Sequence, residues 1–174
     1  MIINRKWEMP NSNTFSINCI REFISKYNQK ELSSIDPFAN TNRIAKITND
    51  IDPEMECDYN LDAIDFMKTF HNESIDLILF DPPYSPRQIS EVYKKFGISV
   101  NMQTTQASFW TNLKTEIHRI LKPSGIVLSF GWNSSGIGLK NDFEILEILL
   151  VCHGGAHNDT ICTAERKNQG GLFA

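Results

Sequence analysis

Hydrophobic residues along the chain fall into two kinds of run. Ile75-Asp76-Leu77-Ile78-Leu79-Phe80 and Gly125-Ile126-Val127-Leu128-Ser129-Phe130 are short and nearly continuous, the pattern of strands buried on both faces. Elsewhere apolar residues recur at intervals of three and four. Ile17, Ile20, Phe23, Ile24 and Tyr27 predict one helix, with Ser16 as its N-cap. Ile64, Phe66, Met67 and Phe70 predict a second, and Phe109, Leu113, Ile117 and Ile120 a longer one over 106–121. A further short helix over 85–97 is closed by Gly97. Short strands are expected at 32–36 and 44–50, and a weak one at 57–63. Residues 143–152 and 160–166 form an antiparallel hairpin joined by His153–Asp159. Strands alternating with helices predict an α/β domain.

Four of these strands end in an acid: Asp36, Asp50, Asp62 and Asp81. Open α/β sheets bind ligands at the carboxyl ends of their strands. Asp81 is followed by Pro82, Pro83 and Tyr84. Two prolines fix φ and remove two backbone donors, so the carbonyls of Asp81 and Pro82 belong to a stiff turn that joins no ladder. A carboxylate and a turn carbonyl accept both N–H bonds of an amino group on a planar ring, and an aromatic face stacks on that ring. Asp50, with Asp52 as its rival, has the chemistry to take a bidentate bond from a ribose diol, and Asp62 doubles as a helix N-cap.

Asp81-Pro82-Pro83-Tyr84 after a buried strand resembles the catalytic motif of the amino-methyltransferases that modify adenine in DNA. Asp36-Pro37-Phe38-Ala39-Asn40-Thr41-Asn42 is similar to that family's cofactor loop, with Asn40 and Asn42 at positions where the family has glycine. Asparagine tolerates left-handed backbone, so the turn still forms, although its side chains crowd a ligand. The resemblance covers about residues 14–167 and implies a class I methyltransferase fold: one Rossmann-like, doubly wound, mostly parallel sheet with an antiparallel edge hairpin. It implies S-adenosyl-L-methionine as cofactor, contacted by Phe15, Asp36, Pro37, Phe38, Asn40, Asp50, Asp62, Ala63 and Asp81. Asp81, Pro82, Pro83 and Tyr84 become catalytic. Tyr84, Arg87, Trp132, His153 and His157 become substrate contacts. Phe15 serves equally well as a hydrophobic staple, and Trp132 as core.

At 174 residues there is room for one domain, with loose ends at 1–13 and 168–174. No apolar run approaches a membrane span and the N-terminus lacks a signal-peptide core, so a cytoplasmic protein of a bacterial or virus-infected cell is expected. Cys19, Cys57, Cys152 and Cys162 are scattered without a C-x-x-C pair, which predicts reduced thiols and no metal site. The net charge of −4 is unfavourable for binding a polyanion. Arg5/Lys6, Arg87, Lys94/Lys95 and Arg166/Lys167 are the local basic groups. The chain has no separate recognition region. The expected partner is therefore DNA with a flipped-out or single-stranded adenine, with recognition minimal or supplied by a homodimer or another protein. The small size and acidic balance suit a virus- or prophage-encoded enzyme. RNA adenine methylation and a non-catalytic scaffold subunit are the alternatives; glutamine methylation is disfavoured because that related turn begins with Asn.

Overall fold

The computed structural model describes residues 1–11, 13–83, 85–97, 107–138, 140, 142–155 and 157–169. Seven strands form one sheet: β1 (Ile2–Trp7), β2 (Ser34–Asp36), β3 (Ile47–Thr48), β4 (Ile75–Phe80), β5 (Leu121–Gly131), β6 (Phe143–Cys152) and β7 (Thr160–Lys167). Their spatial order is β1-β6-β7-β5-β4-β2-β3. β4 pairs in parallel with both β2 and β5. β7 runs antiparallel between β5 and β6, so the expected hairpin closes the sheet, and β1 lies beyond it, parallel to β6.

Both faces of β4 are buried, as its near-continuous apolar run predicts. Ile78 and Phe80 face α2 (Ala63–Lys68), α3 (Pro86–Lys95) and α4 (Ala107–Ile120), whose Phe66, Ile89, Leu113 and Ile117 fill that side of the core. Leu77 and Leu79 face α1 (Asn18–Tyr27), which contributes Ile20, Phe23 and Ile24 together with β6 and β7 residues. The period of two along the strand thus divides one run of apolar residues between two helical layers. The weak third strand at 57–63 reduces to a single parallel bridge between Asn49 and Tyr59.

The N-terminal arm departs from expectation. Residues 1–13 were predicted loose, yet Ile2–Trp7 forms the edge strand β1, with all six residues exposed. A strand exposed on both faces carries no alternation for a pattern to reveal. Asn4 Nδ2 donates to Glu147 Oε1 at 2.8 Å and Glu8 N to the Cys152 carbonyl at 3.2 Å, so backbone and side-chain bonds hold the arm in place. Ser16 does not cap α1: its hydroxyl donates to the Asn13 carbonyl, and Ile17 occupies the N-cap without a side-chain bond. Glu8 does the capping from outside the helix, its two carboxylate oxygens accepting from Asn18 N and Cys19 N at 2.9 Å each.

Those bonds from Cys19 and Asn18 hold the Glu8 carboxyl below its usual value of 4.5. A depressed carboxylate stabilises the fold above its unfolded-state pKa, and the contribution disappears as pH falls through the lower folded value. Glu8→Ala is expected to cost about 1 kcal/mol at pH 7, as other N-cap deletions do. Urea denaturation at pH 7 and at pH 3 checks this, with the difference between variant and wild type shrinking at the lower pH.

Candidate active site

The carboxyl ends of β2, β3 and β4 open into a cleft of about 450 Å³. Pro37, Phe38, Asn40, Asp50, Asp62, Ala63, Asp81, Pro82 and Pro83 all line it. Residues predicted from widely separated stretches therefore meet in one place. No helix separates β2 from β3, so the loops around the cleft are joined by hydrogen bonds, with the buried Asn49 side chain among the main ones. Asn49 Nδ2 donates to the carbonyls of Pro37 and Leu61, both at 3.0 Å, and its Oδ1 accepts from Leu61 N at 3.0 Å. Its backbone N–H donates to the Asp36 carbonyl at 2.9 Å, and its own carbonyl accepts from Ala39 N at 2.8 Å. In the sequence Asn49 is one polar residue near the end of the strand expected at 44–50, and nothing local marks the partners it finds in the fold.

Asn40 has φ +49°, the left-handed backbone expected at the first of the two glycine-like positions; Asn42 does not. The Asn40 N–H donates to Asp50 Oδ2, and Asp52 N to Asp50 Oδ1, each at 2.9 Å. These bonds aim the Asp50 carboxylate into the loop while each oxygen keeps acceptor capacity. Asp62 accepts from Ile64 N through Oδ1 at 2.9 Å, so it is the N-cap of α2 as well as a cleft residue. Its Oδ2 accepts the Tyr93 hydroxyl at 2.5 Å. Tyr93 also lines the cleft; in the sequence it is one residue of the short helix over 85–97, with nothing to mark it as a site residue. Burial, then the Asp62 carboxylate, push the Tyr93 phenol well above its usual range.

Asp36 is fully buried and sits behind the cleft rather than in its lining. Its Oδ1 accepts from Phe38 N at 3.0 Å, while Oδ2 has no hydrogen-bond partner. Burial foremost, with the nearby charges of Asp81 and Asp50, raises this carboxyl to about 8. It is therefore mostly protonated at neutral pH, and the acidic character of the cleft comes from Asp50, Asp62 and Asp81. Such a cleft favours a ligand carrying positive charge and hydrogen-bond donors.

Other predicted contacts lie elsewhere. Phe15 is 2% exposed and packs on the Phe130 ring at 4.7 Å between centroids, so it is a core residue and its neighbour Thr14 lines the cleft instead. His153 is buried with both ring nitrogens engaged, by the Glu8 carbonyl at 2.6 Å and Thr160 Oγ1 at 2.9 Å. It fastens the N-terminal arm to β7 and has no nitrogen left for a base. The Arg87 side chain is 87% exposed and paired with Glu91 at 2.8 Å, on the outer side of α3. Trp132 is 45% exposed and lines a second cavity, which opens on the other side of Pro82. His157 lines a third, with Trp7 and Trp132. Tyr84 lies outside the described residues.

Of the local basic groups, Arg87 pairs with Glu91, Lys95 with Asp52, Arg166 with Glu144 and Lys167 with Glu73, so few are left to meet phosphates. Among the described residues no cluster of His, Cys, Asp or Glu is arranged to hold a metal ion, and no helix is long and apolar enough to cross a membrane.

No protein-family model matches the chain, and no curated protein matches it in sequence. Solved structures do match in three dimensions. TrmN from Thermus thermophilus superimposes with a TM-score of 0.58 at 12% identity over 87% of this chain, which spans 49% of TrmN. The candidate methyltransferase yhhF of Escherichia coli gives 0.58 at 10% identity, covering 95% of this chain and 93% of its own. The 1,6-didemethyltoxoflavin-N1-methyltransferase of Burkholderia thailandensis, which carries S-adenosylhomocysteine, gives 0.51 at 12% identity, covering 78% of this chain and 70% of its own. The chain has the methyltransferase fold.

Because the folded-state value of Asp36 is raised from 3.8 to about 8, the folded protein binds a proton that the unfolded chain releases between those values, and stability falls as pH rises through that window. Asp36→Asn keeps the oxygen that accepts from Phe38 N and removes the ionisation. Denaturation midpoints of the variant between pH 5 and pH 8 are expected to be flatter than those of wild type. A slope as steep as that of wild type would contradict the assignment.

Proposed function

We propose that this protein is an S-adenosyl-L-methionine-dependent methyltransferase that modifies the exocyclic amino group of adenine in DNA. The observation that carries the reading is the Asp81-Pro82-Pro83 turn, which ends the buried strand β4 and lines the same cleft as Asp50 and Asp62. The cofactor fits the chemistry of that cleft. Its ribose diol suits Asp50, its adenine amino group suits Asp62, and its positive charge suits three carboxylates around one cavity. Asn40 takes the left-handed turn that glycine would take, so the loop backbone keeps its course, and the cofactor shares the cleft with the side chains of Asn40 and Asn42. Bound there, the cofactor supplies an electrophilic methyl group on a sulfonium.

The residues of the chain then deal with a poor nucleophile. An exocyclic amino nitrogen is weak because its lone pair is delocalised into the ring. Hydrogen bonds from its two N–H groups to the Asp81 carboxylate and the Pro82 carbonyl favour a pyramidal nitrogen and fix the direction of its lone pair. Asp81 acts as an acceptor that stabilises developing positive charge, rather than as a strong base. The prolines make both acceptors rigid before the substrate arrives, so little reorganisation is needed. An adenine inside a duplex cannot reach this turn and must be extruded or presented in a single strand. Because most of the candidate basic residues are already paired, phosphate contacts add little, and target choice falls to the base itself or to a partner.

Asp81→Ala is expected to lower methyl transfer about 10²–10³-fold, the loss typical of removing one such electrostatic group. Cofactor affinity should remain within a few-fold of wild type. Transfer of labelled methyl to unmethylated single-stranded and duplex DNA, with an RNA of the same sequence in parallel, measures this. Equal loss of transfer and cofactor binding would contradict the role given to Asp81, and transfer confined to RNA would replace DNA as the substrate.

A further inference from the structure

Ser129 of β5 and Thr163 of β7 stand opposite each other in the antiparallel register and so share one sheet face. Ser129 is 9% exposed and Thr163 1%, and neither hydroxyl has a hydrogen-bond partner. Buried hydroxyls are nearly always paired, because an unpaired one loses its water and gains nothing in return. Ser129 lines the second cavity, of about 330 Å³, together with Pro82, Trp110, Lys114, Trp132 and Gly136. Thr163 is its neighbour but is not part of that lining. Pro82 borders both this cavity and the cleft, so the two spaces meet at the catalytic turn.

The walls of the second cavity are built rather than incidental. Glu165, fully buried on β7, accepts from Ile137 N at 2.7 Å and Gly138 N at 2.9 Å, which fixes the loop after β5. Gly136 in that loop has φ +51°, and a Cβ there would lie 2.1 Å from Glu165 Oε2, so only glycine is accommodated. Lys114 reaches from α4 to the carbonyls of Gly136 and Ile137, leaving an ammonium donor beside the cavity. Two tryptophans, a lysine and a serine whose buried hydroxyl is unpaired thus line a space bordered by Pro82, the residue after Asp81.

We infer that the second cavity receives the acceptor base and that Ser129, assisted by Lys114, recognises the ring-nitrogen edge of adenine; the inference rests on the methyltransferase reading above. Once the adenine amino group is bound to Asp81 and Pro82, its remaining ring positions are acceptors only. The groups available to meet them are donors: the Ser129 O–H and a Lys114 N–H. Trp110 and Trp132 supply flat apolar surface to the ring. The base therefore provides the partner that the Ser129 hydroxyl lacks, and a base with N–H at the ring position beside its exocyclic group is less well matched.

Wild type, Ser129→Ala and Thr163→Val are compared with the cofactor cleft filled by S-adenosyl-L-homocysteine, so that the probe cannot occupy it. The probe is a single-stranded hexanucleotide with one adenine among thymines, followed by quenching of tryptophan fluorescence. Ser129→Ala is expected to bind it roughly tenfold more weakly, the effect of one lost hydrogen bond, with an unchanged affinity for S-adenosyl-L-homocysteine. Thr163→Val should bind like wild type, and both variants should melt at or above the wild-type temperature because each removes an unpaired hydroxyl. Wild-type binding by Ser129→Ala, equal weakening by both variants, or no binding of the hexanucleotide to wild type would each overturn the inference. Methyl transfer distinguishes the two levels: transfer with a silent Ser129→Ala sinks only the pocket assignment. Loss of binding in Ser129→Ala without transfer by wild type upholds the pocket and sinks the proposed reaction.

Discussion

The buried amide of Asn49 holds together loops that have no packing layer of their own. Between β2 and β3 the chain makes a turn where a doubly wound sheet more often places a helix, so the segments following Asp36, Thr48 and Tyr59 must be joined by hydrogen bonds. Asn49 bonds to Pro37 and to both backbone groups of Leu61 through its side chain, and to Asp36 and Ala39 through its backbone. Unpaired, any of these groups would cost about 1–3 kcal/mol in a buried setting. Asn49 thus anchors the residues beside Asp50 and Asp62, and the bonds that Asp50 accepts from Asn40 and Asp52 and Asp62 from Ile64 and Tyr93 complete their placement in one cleft.

The other side of the cleft is fixed by a different constraint. β4 is apolar on both faces and is enclosed by two helical layers, so its position is set by core packing. It stops where Pro82 and Pro83 withdraw their backbone donors. A rigid strand with a rigid end delivers Asp81 to the sheet edge without help from a mobile loop. The two halves of the cleft are therefore built differently, one by hydrogen bonding and one by burial. Their meeting point lies between an acidic cavity and a second cavity lined by Lys114 and Ser129.

Elements marked by repetition were legible in the sequence. The helix stripes, the buried β4 run and the 143–152 hairpin strand correspond to observed elements to within a few residues, and four strand-end acids pointed to one edge of the sheet. Asp62 illustrates why a role is harder to read than a position, since one carboxylate caps α2 and lines the cleft. Phe15 was ambiguous because core and ligand surfaces both want an aromatic ring; packing against Phe130 decides for the core. His153 looked like a loop residue available to substrate, but its partners come from Glu8 and Thr160. A contact between residues 145 positions apart leaves no local signature. Ser129 escaped notice for a similar reason. Its isolation depends on the register with Thr163 and on which face of β5 it occupies, neither of which a single serine in an apolar run reveals.

In the proposed function the carboxyl edge of this sheet binds S-adenosyl-L-methionine through Asp50 and presents its methyl group at Asp81. Titration calorimetry of wild type and Asp50→Ala with that cofactor tests it most directly. The account predicts one cofactor per chain for wild type and at least a tenfold weaker affinity for the variant, the loss expected when a hydrogen-bonded carboxylate partner is removed. No binding by wild type at millimolar cofactor, or equal binding by both proteins, would contradict it.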